Sequence, residues 1–218
     1  MSLTTTFLHE TRTLNFEGKR AEPQDKELHN HYLNLITKPK LGWTEHLRLL
    51  RQLGKGGQGV VYLSERRGSD NFTLPVALKF FSPEAFLDER SYRAAMERIA
   101  QVSSRVAQIQ HDNVLDVQNF IERDRIRILE MEWVDGYDLD SLFAPEMLER
   151  ARARVGNKRW DYINNVVATA GHGRIRLKAG MAVAIIRECL AGLAALHREE
   201  IVHGDIKPSN VMVKRTGN

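Results

Sequence analysis

The sequence has few of the features that mark disulfide-stabilised, secreted or membrane-spanning proteins. Its single cysteine, Cys189, lies in an apolar helical stretch, so no disulfide can form within the chain and a buried structural thiol is expected. The longest uninterrupted apolar run covers residues 181–186, far short of the roughly 20 residues that a membrane helix needs. The N-terminus also lacks a basic segment followed by an apolar one. These absences predict a cytoplasmic protein that does not bind a membrane.

Neither sign of charge dominates. The 32 basic and 28 acidic residues leave a formal charge of +4, and the chain is 42% hydrophobic and 28% charged. This is the ordinary composition of a soluble domain that buries an apolar core. The small positive excess suits an anionic ligand, but it does not predict a nucleic-acid partner.

Residues 203–210 read H-G-D-I-K-P-S-N and carry the densest chemistry in the chain. They place a carboxylate, an ammonium group and a carboxamide within six residues, at Asp205, Lys207 and Asn210. Gly, Asp, Pro, Ser and Asn are also the residues of ordinary polar turns. A simple turn is therefore the alternative on this stretch alone.

A glycine-rich turn between two strands is predicted at residues 54–59, G-K-G-G-Q-G. The same G-x-G-x-x-G spacing occurs between a strand and a helix in dinucleotide-binding folds. Here residues 60–63 are mainly β-branched and aromatic, which favours a second strand over a helix. A further apolar strand, V-A-L-K-F-F at 76–81, contains Lys79, whose alternative role is that of an edge lysine reaching solvent.

Taken in chain order, the segments at 54–59, 76–81 and 203–210 resemble the glycine-rich loop, the V-A-I-K strand and the H-R-D-L-K-x-x-N catalytic loop of protein kinases. The alternating strand at 126–131 and the sequence E-W-V-D-G-Y-D-L after it also resemble the last strand and the hinge of the kinase small lobe. The resemblance spans about residues 47–213 and implies an α+β, protein-kinase-like fold. It divides the chain into an N-terminal extension (1–46), a small lobe (47–134) and a partial large lobe (135–218).

The resemblance also assigns the catalytic roles. Asp205 would orient the attacking hydroxyl, Lys207 would neutralise charge on the transferred phosphoryl group, and Asn210 would bind Mg²⁺. Lys207 two residues after Asp205 implies a serine/threonine kinase that acts on protein hydroxyls with ATP and Mg²⁺. Gly204 stands where most members carry an arginine that binds a phosphorylated activation loop, which argues against that mode of activation.

The nucleotide site is implied residue by residue in the same way. Backbone N–H groups of the glycine loop would bind the phosphates, Lys79 would reach the α- and β-phosphates, and Met131 would close the back of the adenine pocket. The hinge backbone would bond the adenine edge, and Asp138 would bond the ribose. The complete predicted set is Gly54, Gly56, Gly59, Val61, Ala77, Lys79, Met131, Glu132, Val134 and Asp138.

A long amphipathic helix is predicted to follow the Lys79 strand, with apolar residues at three- and four-residue steps. In kinases this helix supplies a glutamate that pairs with the strand lysine. Counting back from the loop at residues 111–114 reaches Val102, which is not an acid. Glu97 is the nearest carboxylate and Glu89 the next, so Glu97 is the predicted catalytic partner of Lys79.

The segment 150–178 is longer than the family's usual connection at this place, and it is basic. Its cations are Arg150, Arg152, Arg154, Lys158, Arg159, Arg174, Arg176 and Lys178. One interpretation is a solvated helical face. The other is a docking patch for an acidic partner or substrate.

The chain ends before any D-F-G motif, whose aspartate binds Mg²⁺ in the family. We therefore expect these 218 residues to be a truncated and inactive fragment of a kinase whose small lobe still folds. A pseudokinase or scaffold, which binds nucleotide or a protein partner without catalysis, is the alternative function. The extension 1–46, with at most one short helix, is interpreted as a solvated leader or a docking arm.

Overall fold

The computed structural model describes residues 3–5, 25–37, 40–41, 47–171 and 174–215. Its strands are β1 (Leu3–Thr5), β2 (Lys40–Leu41), β3 (Leu47–Gly56), β4 (Gly59–Arg67), β5 (Thr73–Phe81), β6 (Val117–Arg123), β7 (Ile126–Glu132), β8 (Gly136–Asp138), β9 (Ala168–Gly171), β10 (Arg174–Leu177) and β11 (Val211–Lys214). Its α-helices are α1 (Lys26–Thr37), α2 (Glu89–Val106), α3 (Leu139–Leu142), α4 (Pro145–Arg154), α5 (Asn157–Tyr162) and α6 (Ala179–Arg198). Two 3₁₀ turns, Pro83–Ala85 and Pro208–Asn210, and one π-helical turn, Ile163–Val167, complete the described elements.

The chain divides into two compact units. The sheet unit takes the described residues within Thr13–Ile109 and Asp116–Trp133. The helical unit takes those within Met1–Arg12, Gln110–Leu115 and Val134–Asn218. The predicted domain limits at 46 and 134 stay predictions.

The sheet unit is built on an antiparallel sheet with the strand order β2-β3-β4-β5-β7-β6. β5 lies inside the sheet and is apolar, so its residues from Val76 to Phe81 are all buried. β6 and β7 are joined by a two-residue turn at Asp124 and Arg125, both with positive φ (48° and 66°). Such turns match the twist of the strands that they join. The predicted strands on both sides of the glycine loop are β3 and β4.

α2 packs on this sheet through one face. Its first turn is closed by a capping box, in which Asp88 accepts a hydrogen bond from the Ser91 N–H at 2.7 Å. The Tyr92 hydroxyl donates to the Phe81 carbonyl at 3.1 Å and accepts from the Arg127 N–H at 2.9 Å. The start of α2 is therefore fixed to both β5 and β7.

α1 belongs to the sheet unit, although it lies in the predicted extension. Leu28, Tyr32 and Leu35 recur at helical spacing, and all three are buried. The Tyr62 hydroxyl of β4 donates to the Ile36 carbonyl at 3.2 Å. The short helix is confirmed, and the solvated-leader interpretation is wrong for residues 26–37, because this apolar face is covered by the unit. The remainder of 1–46, apart from residues 3–5, 25 and 40–41, lies outside the described residues.

The N-terminal half of α1 is also joined to the rest of the unit by charges. Arg125, at the β6–β7 turn, forms ion pairs with Glu27 of α1 at 3.2 Å and with Glu89 of α2 at 2.8 Å. His31 lies 3.1 Å from the Asp124 carbonyl oxygen through Nδ1. One turn of the sheet therefore holds the beginnings of two helices.

The helical unit contains a small antiparallel sheet, in the order β1-β11-β8, and the hairpin β9–β10. Its apolar cluster consists of Leu139, Ile185, Val211 and Val213, with Met181 and Cys189 of α6 packed against it. The predicted long helix before the catalytic loop is α6, and Cys189 is partly buried as a free thiol.

α6 is the one helix of the described residues that is long and apolar enough to cross a membrane. The expectation that no segment is long and apolar enough was drawn from uninterrupted runs and is wrong by this criterion, because α6 is interrupted by only a few charges. The prediction that the protein does not bind a membrane stays a prediction. Length and composition alone are weak evidence, since the core helix of a soluble protein has the same properties. One face of α6 packs on the cluster described above, while Val183, Ile186 and Leu190 are exposed.

Candidate active site

The register of the sheet gathers four predicted nucleotide-site residues on one face. Val61 of β4 lies directly opposite Lys79 of β5, and Ala77 of β5 lies opposite Met131 of β7. Directly paired residues point to the same face, and so do residues two apart along a strand. Val61, Lys79, Ala77 and Met131 therefore share a face, as the predicted adenine and phosphate roles require.

The glycine loop is held tightly against the end of β5. Gly59 has φ +139°, and a Cβ placed there would lie 1.9 Å from the Phe80 carbonyl oxygen. The neighbouring Gln58 carbonyl accepts a hydrogen bond from the Ser82 N–H at 2.9 Å. By contrast, a Cβ at Gly54 or Gly56 would meet nothing within 4 Å. Gly59 is therefore required by the fold, whereas the other two leave open space above the loop.

We expect Gly59→Ala to destabilise the sheet unit by about 3 kcal/mol, because the methyl group clashes with backbone and the φ is strained for any L side chain. Urea unfolding monitored by circular dichroism measures the loss. Gly54→Ala is the matched control on the same hairpin, and its effect is expected to stay below about 1 kcal/mol. Equal losses for the two variants would contradict the tight contact.

Lys79 is buried, with 4% of its surface exposed. Its ammonium group donates to the Gln58 side-chain carbonyl at 2.9 Å and lies 4.9 Å from the centre of the Phe81 ring. Burial lowers the pKa of Lys79 to about 7, because removal from water disfavours the charged form. The alternative of an edge lysine reaching solvent is therefore wrong.

Glu97 does not form the predicted ion pair with Lys79. Tyr92 and Met96 occupy the buried face of α2, and the next residue, Glu97, is turned about 100° away and is exposed. Glu89 pairs with Arg125 instead. Formation of the Lys79–Glu97 pair upon nucleotide binding stays a prediction.

The hinge residues occupy the places that the motif implies, but their nucleotide contacts stay predictions. Met131 and Val134 are buried. The Glu132 N–H donates to the Asp116 carbonyl at 2.9 Å, so this N–H group is already occupied. The Asp138 carboxylate caps α3 by accepting from the Ser141 N–H at 2.8 Å, a role that the sequence did not indicate.

The catalytic loop of the helical unit forms one polar network. The Lys207 ammonium lies 2.8 Å from Asp205 Oδ2. The Asn210 side-chain amide donates to the Asp205 backbone carbonyl at 2.8 Å and to Oδ2 at 3.2 Å. Asn210 is buried, while Asp205 and Lys207 are partly exposed. The structure thus brings together the three groups predicted to act in phosphoryl transfer.

Two residues beside this network explain its shape. His203 is buried, and its Nδ1 lies 3.3 Å from the Asp205 N–H, which donates to it. Gly204 between them has φ +75°, in the left-handed region that favours glycine. A residue with a side chain would be less favourable than glycine at this φ.

The described residues fit Mg²⁺ only in part. Magnesium prefers octahedral oxygen ligands, usually one or two carboxylates together with phosphate oxygens. The Asn210 amide nitrogen faces Asp205, so its carbonyl oxygen is the atom that Asn210 can offer to a cation. No group of three or more His, Cys, Asp or Glu residues that could hold a metal occurs in the described part of the chain. Asn210 would thus supply one neutral ligand.

Gln58 is the site residue that sequence reasoning missed. The glycine motif treats its position as variable, so the motif carries no information about it. A polar residue beside the last glycine of the loop was the only available signal. Its contact with Lys79 depends on how the loop folds over β5.

Comparison with known proteins identifies the family. The model of the protein kinase domain matches residues 47–218. Serine/threonine-protein kinase PknH of Mycobacterium bovis is 30% identical over 167 residues, which cover 77% of this chain and 22% of that protein. Serine/threonine-protein kinase PrkC of Bacillus subtilis is 26% identical over 171 residues, covering 78% of this chain and 21% of that protein. The chain therefore spans about a fifth of the length of these curated relatives.

The fold agrees with this match. The crystal structure of the Mycobacterium tuberculosis PknI kinase domain superposes with a TM-score of 0.53 at 23% identity, over 81% of this chain and 58% of that chain. This likeness confirms the predicted α+β, kinase-like fold. Since the family match covers most of the chain and includes the glycine loop, the lysine strand and the catalytic loop, the chain belongs to the protein kinase family.

Proposed function

We propose that the protein transfers the γ-phosphate of ATP to serine or threonine hydroxyls of a protein substrate, with Mg²⁺. The observation that carries this proposal is the Asp205–Lys207–Asn210 network, in which a carboxylate, a cation and an amide are held by mutual hydrogen bonds. Phosphoryl transfer asks for positioning and charge stabilisation more than for covalent chemistry. The names of the relatives as serine/threonine kinases support the same class.

Each predicted catalytic residue has a definable task in this reaction. Lys79 would bind the α- and β-phosphates, and the backbone of the glycine loop would add N–H donors. Asp205 would orient the substrate hydroxyl and accept its proton. Lys207, already 2.8 Å from Asp205, would neutralise charge on the transferred group. Bound Mg²⁺ would supply further neutralisation of the phosphates, with Asn210 as one ligand.

We expect Asp205→Asn to lower the rate of phosphate transfer by the full-length protein at least about 100-fold, because the base that orients the hydroxyl is lost while the side-chain shape is kept. Transfer from labelled ATP to a generic protein substrate measures the rate. Asp140→Asn, at an exposed aspartate of α3, is the control and should leave the rate unchanged. A rate equal to the wild type for Asp205→Asn would remove Asp205 from the mechanism.

A second candidate function is a pseudokinase or scaffold that binds nucleotide or a protein without turnover. The exposed position of Glu97 favours it, because an ion pair usual in active kinases is not formed. Residues 1–218 alone are also proposed to lack turnover, since the described part of the chain holds no group of three or more His, Cys, Asp or Glu residues that could bind a metal. If calorimetry showed that the full-length protein binds ATP while assays detected no phosphate transfer, the pseudokinase or scaffold function would be supported over the kinase.

We further propose a cytoplasmic location and an acidic partner or substrate for the segment 150–178. Cations of this segment extend into solvent, namely Arg150, Arg152, Arg154, Lys158, Arg159 and Arg176. Arg152 lies 5.3 Å from the centre of the Trp160 ring and donates to Asn157 at 3.2 Å, so part of the basic surface is held in place.

A further inference from the structure

Gln58 makes two hydrogen bonds that hold the glycine loop on β5. Its backbone carbonyl accepts from the Ser82 N–H at 2.9 Å, and its side-chain carbonyl accepts from the Lys79 ammonium at 2.9 Å. Residues 55–57 of the same loop are exposed, whereas Gln58 is partly buried. Among residues 55–58, Gln58 is thus the one whose side chain contacts the sheet face on which Lys79 lies.

The fold sets this contact in advance. Gly59 pairs with Phe81 across the β4–β5 ladder, and its lack of a Cβ lets the loop backbone approach the Phe80 carbonyl. Lys79 lies two residues before Phe81, so both side chains share a face. The backbone of Gln58 is therefore anchored at the end of β5, which places its side-chain carbonyl within hydrogen-bond distance of the Lys79 ammonium group.

Lys79 needs such a partner because its side chain is long, flexible and buried. A hydrogen-bond acceptor fixes the position of the ammonium group, and a buried donor without one is costly. The helix carboxylate expected to do this, Glu97, is exposed, and Met96 occupies the buried face of α2. The Gln58 carboxamide differs from a carboxylate in that it positions the charge without neutralising it.

We infer that Gln58 is a positioning residue, which holds the Lys79 ammonium in place for the phosphates of ATP, the task that the motif assigned to a glutamate of α2. This inference rests on the proposed function. Because the carboxamide is neutral, it does not offset the positive charge that the ammonium form of Lys79 directs at the anionic ligand. An ammonium group has three N–H donors, so a bond to Gln58 leaves donors for a phosphate oxygen.

The kinetic test uses three variants of the full-length protein. Gln58→Ala is expected to lower kcat about 10- to 100-fold with a smaller change in KM for ATP, because a displaced charge stabilises the transition state poorly. Gln58→Glu keeps the acceptor and should restore most of kcat. Gln52→Ala, at an exposed glutamine of the same hairpin, should behave as the wild type. Thermal unfolding of all three shows whether any loss comes from the fold.

A second measurement does not depend on turnover. Nuclear magnetic resonance of ¹³C-labelled lysine reports the pKa of Lys79 in residues 1–218, and Gln58→Glu should raise this pKa because a carboxylate favours the ammonium form. An unchanged pKa in Gln58→Glu would overturn the contact in solution. Wild-type kcat in Gln58→Ala, together with loss of activity in Glu97→Gln, would overturn the positioning role and assign it to α2. Absence of transfer by the wild type would refute the proposed function alone, and the resonance measurement would then decide the contact.

Discussion

Replacing Lys79 by methionine is expected to stabilise the sheet unit at neutral pH and to remove the pH dependence of stability that Lys79 contributes. The side chain has 4% of its surface exposed, and burial lowers its pKa from 10.5 to about 7. A pKa difference of this size corresponds to about 5 kcal/mol of stability that depends on pH. Methionine is of similar length and uncharged. Lys79→Met should therefore recover a large part of this stability, reduced by the loss of the hydrogen bond to Gln58.

The direction of the pH effect follows from proton binding. Below about pH 7 the folded and unfolded chains both carry the Lys79 proton, and the cost of burying the charge is fully present. Between about pH 7 and 10.5 the unfolded chain binds a proton that the folded chain does not, so stability contributed by Lys79 rises with pH. The advantage of Lys79→Met should therefore be largest near pH 7 and shrink towards pH 10.

Urea unfolding of both proteins across this pH range measures the difference, and groups that titrate equally in both cancel. Lys55→Met is the matched control, because Lys55 is an exposed lysine of the glycine loop. Its removal should shift stability by less than about 0.5 kcal/mol at any pH. A constant difference between wild type and Lys79→Met from pH 7 to 10 would show that Lys79 is not buried as described.

Tyr32→Ala is expected to cost the sheet unit about 3–5 kcal/mol, although the residue lies outside the part of the chain that matches the kinase domain. Tyr32 is 2% exposed in the face that α1 buries, and its hydroxyl is hydrogen-bonded to Ser82. Truncation removes a large buried ring and leaves a cavity between α1 and the sheet. The loss is read from urea unfolding at neutral pH.

Leu33→Ala provides the control on the same helix, because Leu33 is 41% exposed. Its cost should stay below about 1 kcal/mol. Tyr32→Phe separates the hydroxyl from the ring and should cost about 1 kcal/mol. If Tyr32→Ala unfolded at the same urea concentration as Leu33→Ala, α1 would not be packed on the unit in solution.

The sequence predicted those parts of the site that local chemistry determines. The β-branched residues after the glycine loop specify a strand, the apolar strand around Lys79 specifies a buried position, and the catalytic loop lies within eight consecutive residues. Short spacing leaves few ways to arrange such groups. The fold class followed from the order of these segments.

The partners of Lys79 could not be predicted in the same way. Helical periodicity identifies the buried stripe of α2, but the choice between Glu97 and Met96 depends on the rotation of the helix on the sheet. The bond to Gln58 depends on the fold of a loop rich in glycine, where few local preferences act. α1 was missed as a packed element because its three buried residues lie within a mainly polar stretch.

The position of Arg125 shows that the boundary of a family and the boundary of a folding unit differ in this protein. The family match begins at residue 47. Arg125, at the β6–β7 turn, nevertheless forms an ion pair with Glu27, which precedes the start of the match by about twenty residues. A protein started at the family boundary would lose Glu27 and uncover the surface that receives Leu28, Tyr32 and Leu35. Expression, domain exchange and fusion designs that keep the cooperative unit whole should therefore begin before Asp25, whose carboxylate accepts from the Leu28 N–H and starts α1.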